Sequence, residues 1–98
     1  MTSKTIIVTG ASRGLGAATA EILGESDVNI VLNARSKEGL EQVATRVDPT
    51  AKRVLVVPGD ASNEADCRRV INRTVEHFGG IDGLILSLIH ISEPTRPY

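Results

Sequence analysis

Residues Thr5–Gly16 read TIIVTGASRGLG, a β-branched run that breaks into three glycines and then into a helical pattern. Thr5, Ile6, Ile7, Val8 and Thr9 favour a buried extended strand, because branched side chains fit a pleated surface and carry no charge to desolvate. Gly10, Gly14 and Gly16 follow at once. Glycine lets the chain turn sharply off the strand, lets backbone N–H groups approach a ligand with no Cβ in the way, and lets the next helix lie close on the sheet. The N–H groups that open such a helix have no partners within it and make a seat for an anion. A Walker-type phosphate loop needs a Gly-Lys-Ser/Thr ending. No lysine lies between Lys4 and Lys37, which argues against nucleoside triphosphate hydrolysis. Glycines at strand-to-helix turns also serve packing alone, and the triad by itself leaves that reading open.

Outward from this turn the chain alternates. Leu15, Ala18, Ile22 and Leu23 recur at helical spacing, with Gly24 placed to end the helix. Val28–Ala34, VNIVLNA, is a second β-branched run ending at Arg35. Ser36 can cap a second helix with apolar Leu40, Val43, Ala44 and Val47, stopped by Pro49. Arg53–Pro58 contains Val54, Leu55, Val56 and Val57, suited to a strand buried on both faces. Ser62 or Asn63 can cap a third helix whose stripe is Cys67, Val70, Ile71, Thr74, Val75 and Phe78, and Gly79-Gly80 closes it. Ile81–Leu86 begins a fourth strand. The fold class is therefore α/β, with βαβαβαβ order, a parallel sheet and right-handed crossovers.

Composition narrows the function. Eleven basic and twelve acidic residues give a net charge of −1, and aromatics are 2% of the chain, so neither a basic patch nor a stacking ladder supports nucleic-acid binding. No His, Cys and carboxylate cluster has metal spacing. Met1–Lys4 leads straight into the first strand, with an apolar run too short for a signal peptide or a membrane span. Together with the single cysteine, Cys67, this makes the cytoplasm the expected location.

The end of the second strand tests the glycine turn, because an acidic residue there would hold the ribose hydroxyls of NAD. The chain has Asn33-Ala34-Arg35-Ser36 instead. A guanidinium offers a planar fork of donors and a permanent charge, suited to a 2′-phosphate, and a serine hydroxyl can assist. Arg13 could reach the same group. NADP(H) is favoured, with NAD(H) as the alternative. The competing reading makes Arg35 a solvated strand end and Ser36 only a helix cap.

The spacing Thr9-Gly10-x-x-x-Gly14-x-Gly16 resembles the signature of the short-chain dehydrogenase/reductase family. Two further stretches are similar to that family: Gly59-Asp60-Ala61 after the third strand, and Phe78-Gly79-Gly80-Ile81-Asp82-Gly83-Leu84-Ile85 before the fourth. Within the family the run is similar to fungal carbonyl reductases of the benzil-reductase and sepiapterin-reductase type. The resemblance implies a partial Rossmann-type sheet of order 3-2-1-4 over residues 1–85. It implies cofactor contacts from Gly10, Ser12, Arg13, Gly14, Leu15 and Gly16 at the turn, from Arg35 and Ser36, and from Asp60 and Ala61 beside the adenine. The otherwise plain reading of Asp60 is a loop carboxylate near a helix start. The implied reaction moves a hydride between NADP(H) and a small carbonyl or alcohol, and a homo-oligomeric parent is compatible with it.

After Leu86 the family would continue Asn-Ala-Gly, whereas this chain reads Ser87-Leu88-Ile89-His90-Ile91-Ser92-Glu93-Pro94-Thr95-Arg96-Pro97-Tyr98. The string LSLIHISEPTR resembles the translation of a transposase-type sequencing-library adapter. Residues 86–98 are therefore expected to be foreign to the gene, and the chain to be a truncated cofactor-binding half, poorly soluble because LILSLIHI would be an unpaired edge. The family's catalytic serine, tyrosine and lysine have no counterparts here. Tyr98 is the last residue, and Lys4, Lys37 and Lys52 all lie upstream. No catalytic residue is assigned. A non-catalytic nucleotide-binding or regulatory module on the same fold is the alternative, and a small interaction domain with packing glycines is a third reading.

Overall fold

The computed structural model describes residues 4–12 and 14–85. The order is β1 (Lys4–Thr9), α1 (Gly14–Leu23), β2 (Val28–Ala34), α2 (Lys37–Val47), β3 (Val54–Pro58), α3 (Glu64–Phe78) and β4 (Gly83–Ile85). All strand pairs are parallel, and the sheet runs β3-β2-β1-β4 as the resemblance implies. The expectations for Arg13 and for the tail from Leu86 to Tyr98 lie outside the described residues.

Successive strand residues face opposite sides, which divides the core in two. Val8, Ile30, Leu32 and Ala34 pack with Ala17 and Ala20 of α1 and with Leu40 and Val43 of α2. Ile7, Val31 and Val57 pack with Val70 of α3, flanked by Leu55 and Phe78. Leu40 is fully buried where α2 meets the sheet. Leu40→Ala should therefore lower unfolding free energy by about 3 kcal/mol in urea denaturation, from lost transfer energy plus the cavity left behind.

Three expectations of burial are corrected. On α1 the face toward the sheet is Gly16, Ala17 and Ala20, while Leu15 is 76% and Ile22 66% exposed and Ala18 is exposed too. The glycine turn fixes the helix phase, so the small residues, which allow close approach, lie inward. On α3, Val70 and Thr74 are buried, whereas Ile71 and Val75 are exposed. On β3, Leu55 and Val56 are only half-buried, because that strand pairs on one side alone.

Caps follow local chemistry. Ser36 Oγ accepts from Gly39 N at the start of α2, and Asn63, not Ser62, caps α3 by accepting from Asp66 N. Gly79 ends α3 in the left-handed conformation, its N–H donating to Val75 O. The short β4 is pinned to β1 where it begins: Thr5 N donates to Asp82 Oδ2 at 2.8 Å, and Asp82 N donates to Thr5 O at 2.8 Å.

Asp48 closes α2 and organises the loop behind it. Its carboxylate accepts from Thr50 Oγ1 at 2.6 Å and from the N–H groups of Thr50, Lys52 and Arg53. The Thr50 hydroxyl, followed by these N–H groups, brings its pKa down to about 2. A carboxyl with a lowered folded-state pKa stabilises the fold above its unfolded value and loses that contribution as pH falls. Acid unfolding should therefore draw on Asp48 between about pH 4 and pH 2. Asp48→Asn should flatten that limb in a circular-dichroism titration and lower the melting temperature at neutral pH.

Candidate functional site

Parallel strands bring their carboxyl ends to one side of the sheet. β1 has β2 on one flank and β4 on the other, so the strand order reverses there, which is where open parallel sheets take their ligands. The glycine turn occupies that position. Gly10 and Gly14 take φ of +63° and +64°, a region costly for L side chains. Among the described residues a Cβ on Gly14 would meet nothing within 4 Å. Gly16 differs: a Cβ there would lie 2.7 Å from the Gly10 carbonyl carbon and 3.1 Å from Ala11 Cα, with the Gly10 oxygen nearer still. Two of the glycines thus shape the turn, and the third lets the helix press against it.

The first turn of α1 contains no acidic residue to offset its positive end. Ser12 is half-buried beside it and Leu15 stands exposed at its front. These features suit an anion seated on backbone N–H groups.

A second wall comes from β2 and β3. Arg35 is exposed at the end of β2. Arg46, Arg53, Arg68 and Arg69 each hold a carboxylate; among the described residues Arg35 forms no ion pair, and its charge is felt at Asp60. Asp60 Oδ1 accepts from Ser62 Oγ at 2.7 Å and Ser62 N at 2.9 Å. The Ser62 hydroxyl, then its N–H, then the Arg35 guanidinium hold the Asp60 carboxyl below the usual range. Arg35 and Asp60, 25 positions apart by their numbers, therefore face a common region. Ser36 does act as a helix cap, but it uses an oxygen lone pair for Gly39 N, which leaves its hydroxyl hydrogen able to donate elsewhere. Ala61 is exposed, and its carbonyl accepts from the Cys67 thiol at 2.9 Å.

Several residues outside the sequence reading build this region. Gly39 lies in the first turn of α2, where a Cβ would come 2.9 Å from Ser12 Cβ and 3.3 Å from Ser36 Oγ, so α2 and the glycine turn meet at Gly39. The exit of β3 is held bond by bond. Asn33 Nδ2 donates to Val57 O and Gly59 O, Arg69 donates to Pro58 O at 2.6 Å, Gly59 N donates to Ala34 O, and Asp60 N donates to Asp66 Oδ2 at 2.8 Å. Two signals were in the sequence: an amide inside an apolar strand run at Asn33, and a glycine inside a helical pattern at Gly39. Among the described residues no group of His, Cys, Asp and Glu could hold a metal, and no helix is long and apolar enough to cross a membrane.

A parallel sheet of order β3-β2-β1-β4 with a glycine turn at its switch point and an arginine just past the end of β2 defines a partial Rossmann-like fold. The short chain dehydrogenase family model matches residues 4–88, and the chain belongs to that family. It is 40% identical over 86 residues to the 11-beta-hydroxysteroid dehydrogenase-like 2 protein of Arabidopsis thaliana, covering 87% of this chain and 28% of that protein. A cofactor-bound short-chain dehydrogenase/reductase of unknown function from Caenorhabditis elegans superposes with a TM-score of 0.79 at 34% identity, over 85% of this chain and 32% of that one. YwfH, an NADPH-dependent reductase involved in bacilysin biosynthesis, gives 0.78 at 27% identity over 85% and 36%. The chain thus spans about a third or less of the length of these relatives.

Proposed function

We propose that the chain binds NADP(H) at the carboxyl edge of its sheet and is the cofactor-binding portion of an oxidoreductase acting on a small carbonyl or alcohol. The observation that carries this reading is Arg35. It stands at the β2 end where a carboxylate would select NAD(H), it forms no ion pair among the described residues, and it lies beside a serine hydroxyl and close enough to Asp60 for its charge to be felt there. The NADPH dependence of YwfH points the same way.

In this reading the pyrophosphate rests on the first turn of α1, over Gly14 and between Gly10 and Gly16, with Ser12 and Leu15 at its border, and Arg13 is assigned from the sequence to the 2′-phosphate. Arg35 and Ser36 hold the 2′-phosphate, and Asp60 and Ala61 border the adenine. The bound dinucleotide supplies a hydride, and the reduced state in which cells hold NADPH favours carbonyl reduction. The chain's own residues bind and orient the dinucleotide. The chain should be retained on immobilised 2′,5′-ADP and be eluted by NADP but not by the same concentration of NAD. Passage through the column without retention would remove the reading.

A further inference from the structure

Asn33 is 1% exposed within β2. Its main-chain oxygen accepts from Ala11 N, in the glycine turn, at 3.0 Å. Its side-chain nitrogen donates to Val57 O at 3.0 Å and to Gly59 O at 3.3 Å. Both side-chain partners are carbonyl oxygens, so nitrogen is the atom that must face them. One residue therefore ties the turn after β1 to the exit of β3, two positions before Arg35. A buried amide is costly unless it is bonded, and an aliphatic side chain of similar volume would fill the sheet interior without that demand. Core packing alone does not call for asparagine here.

The partners on the other side of the β3 exit, Asp66 and Arg69, sit on the accessible flank of α3, and Arg69 is about half exposed. Asn33 braces the same peptides from within the sheet. We propose that Asn33 is a positioning residue for the adenosine half of the dinucleotide, an inference that rests on the cofactor reading above. It fixes the Gly59-Asp60-Ala61 segment at the height where Asp60 and Ala61 meet the adenine, and it holds that segment in register with the glycine turn and Arg35.

The test compares the unsubstituted chain with Asn33→Leu and with Val43→Ala, a core change on α2 away from the brace. In ligand-free protein, N33L should speed hydrogen exchange at the Gly59 and Asp60 amides about tenfold relative to amides in the middle of α3. It should also weaken 2′,5′-ADP binding about tenfold, the scale of one lost buried hydrogen bond. V43A should lower the melting temperature yet leave both readings within about twofold. Asn33→Ser, which keeps one donor, should fall between wild type and N33L, and it takes the place of N33L if that variant does not fold. Equal losses in N33L and V43A, or unchanged exchange at Gly59 and Asp60 in N33L, would overturn the proposal. If the unsubstituted chain fails to bind 2′,5′-ADP while N33L still loosens the segment, the cofactor reading falls and the positioning role with it, leaving Asn33 a structural brace.

Discussion

Gly16→Ala is expected to abolish dinucleotide binding and to cost about 3 kcal/mol or more of stability, at the upper end of overpacking effects. The added methyl would point into the Gly10 carbonyl and Ala11 Cα, which are backbone atoms with no rotamer in which to retreat. To admit it, α1 must lift away from the sheet, and its first turn then leaves the position in which its N–H groups converge on an anion. Gly14→Ala makes the informative contrast. Among the described residues nothing lies within 4 Å of a Cβ there, and the penalty expected is that of the left-handed φ of +64°, roughly 1–2 kcal/mol. Urea denaturation and NADPH titration of both variants should rank Gly16 above Gly14 in stability loss. The reverse order would mean that the turn does not pack as described.

Arg35→Asp is expected to reverse cofactor preference, weakening NADPH by about a hundredfold while NADH is retained or gained. The substitution removes the charge-assisted donors proposed to meet the 2′-phosphate and puts a repelling carboxylate in their place. A carboxylate at the end of β2 can instead accept from ribose hydroxyls, which only the unphosphorylated cofactor presents as a pair. The variant also removes the cation that helps to lower the Asp60 pKa, so the Asp60 carboxyl should titrate at higher pH in R35D. Fluorescence titrations with the two reduced cofactors measure the preference directly. Unchanged discrimination in R35D would show that Arg35 is only a solvated strand end.

What the sequence discloses depends on whether the signal is local. The β-branched runs and the glycines placed β1 and β2 at their observed ends, and Ser36, Gly24 and Gly79 marked helix boundaries by capping chemistry that needs no tertiary contact. The family resemblance supplied the sheet order, which periodicity cannot set. Helix phase was the weak point: on α1 the apolar Leu15, Ala18 and Ile22 pattern pointed to the face that the structure exposes, because close approach at Gly16 outweighs the burial of larger side chains elsewhere. At the site, the glycines, Arg35 and Ser36 were legible as residue types suited to phosphate, whereas Asp60 was singled out only through the family resemblance, as a neighbour of the adenine. The braces were not. Asn33 acts through a partner 24 positions on, which it meets only once β2 and β3 are in register. Gly39 acts through a missing Cβ, and Asp66 and Arg69 through main-chain groups that come within reach only when α3 packs beside the exit of β3.

The most direct test of the central claim is an equilibrium titration of the 98-residue chain with NADPH and with NADH at one ionic strength, followed by nicotinamide fluorescence. The account predicts saturable binding of both, with NADPH tighter by about tenfold or more. Equal affinities, tighter binding of NADH, or no saturable binding of either would contradict it.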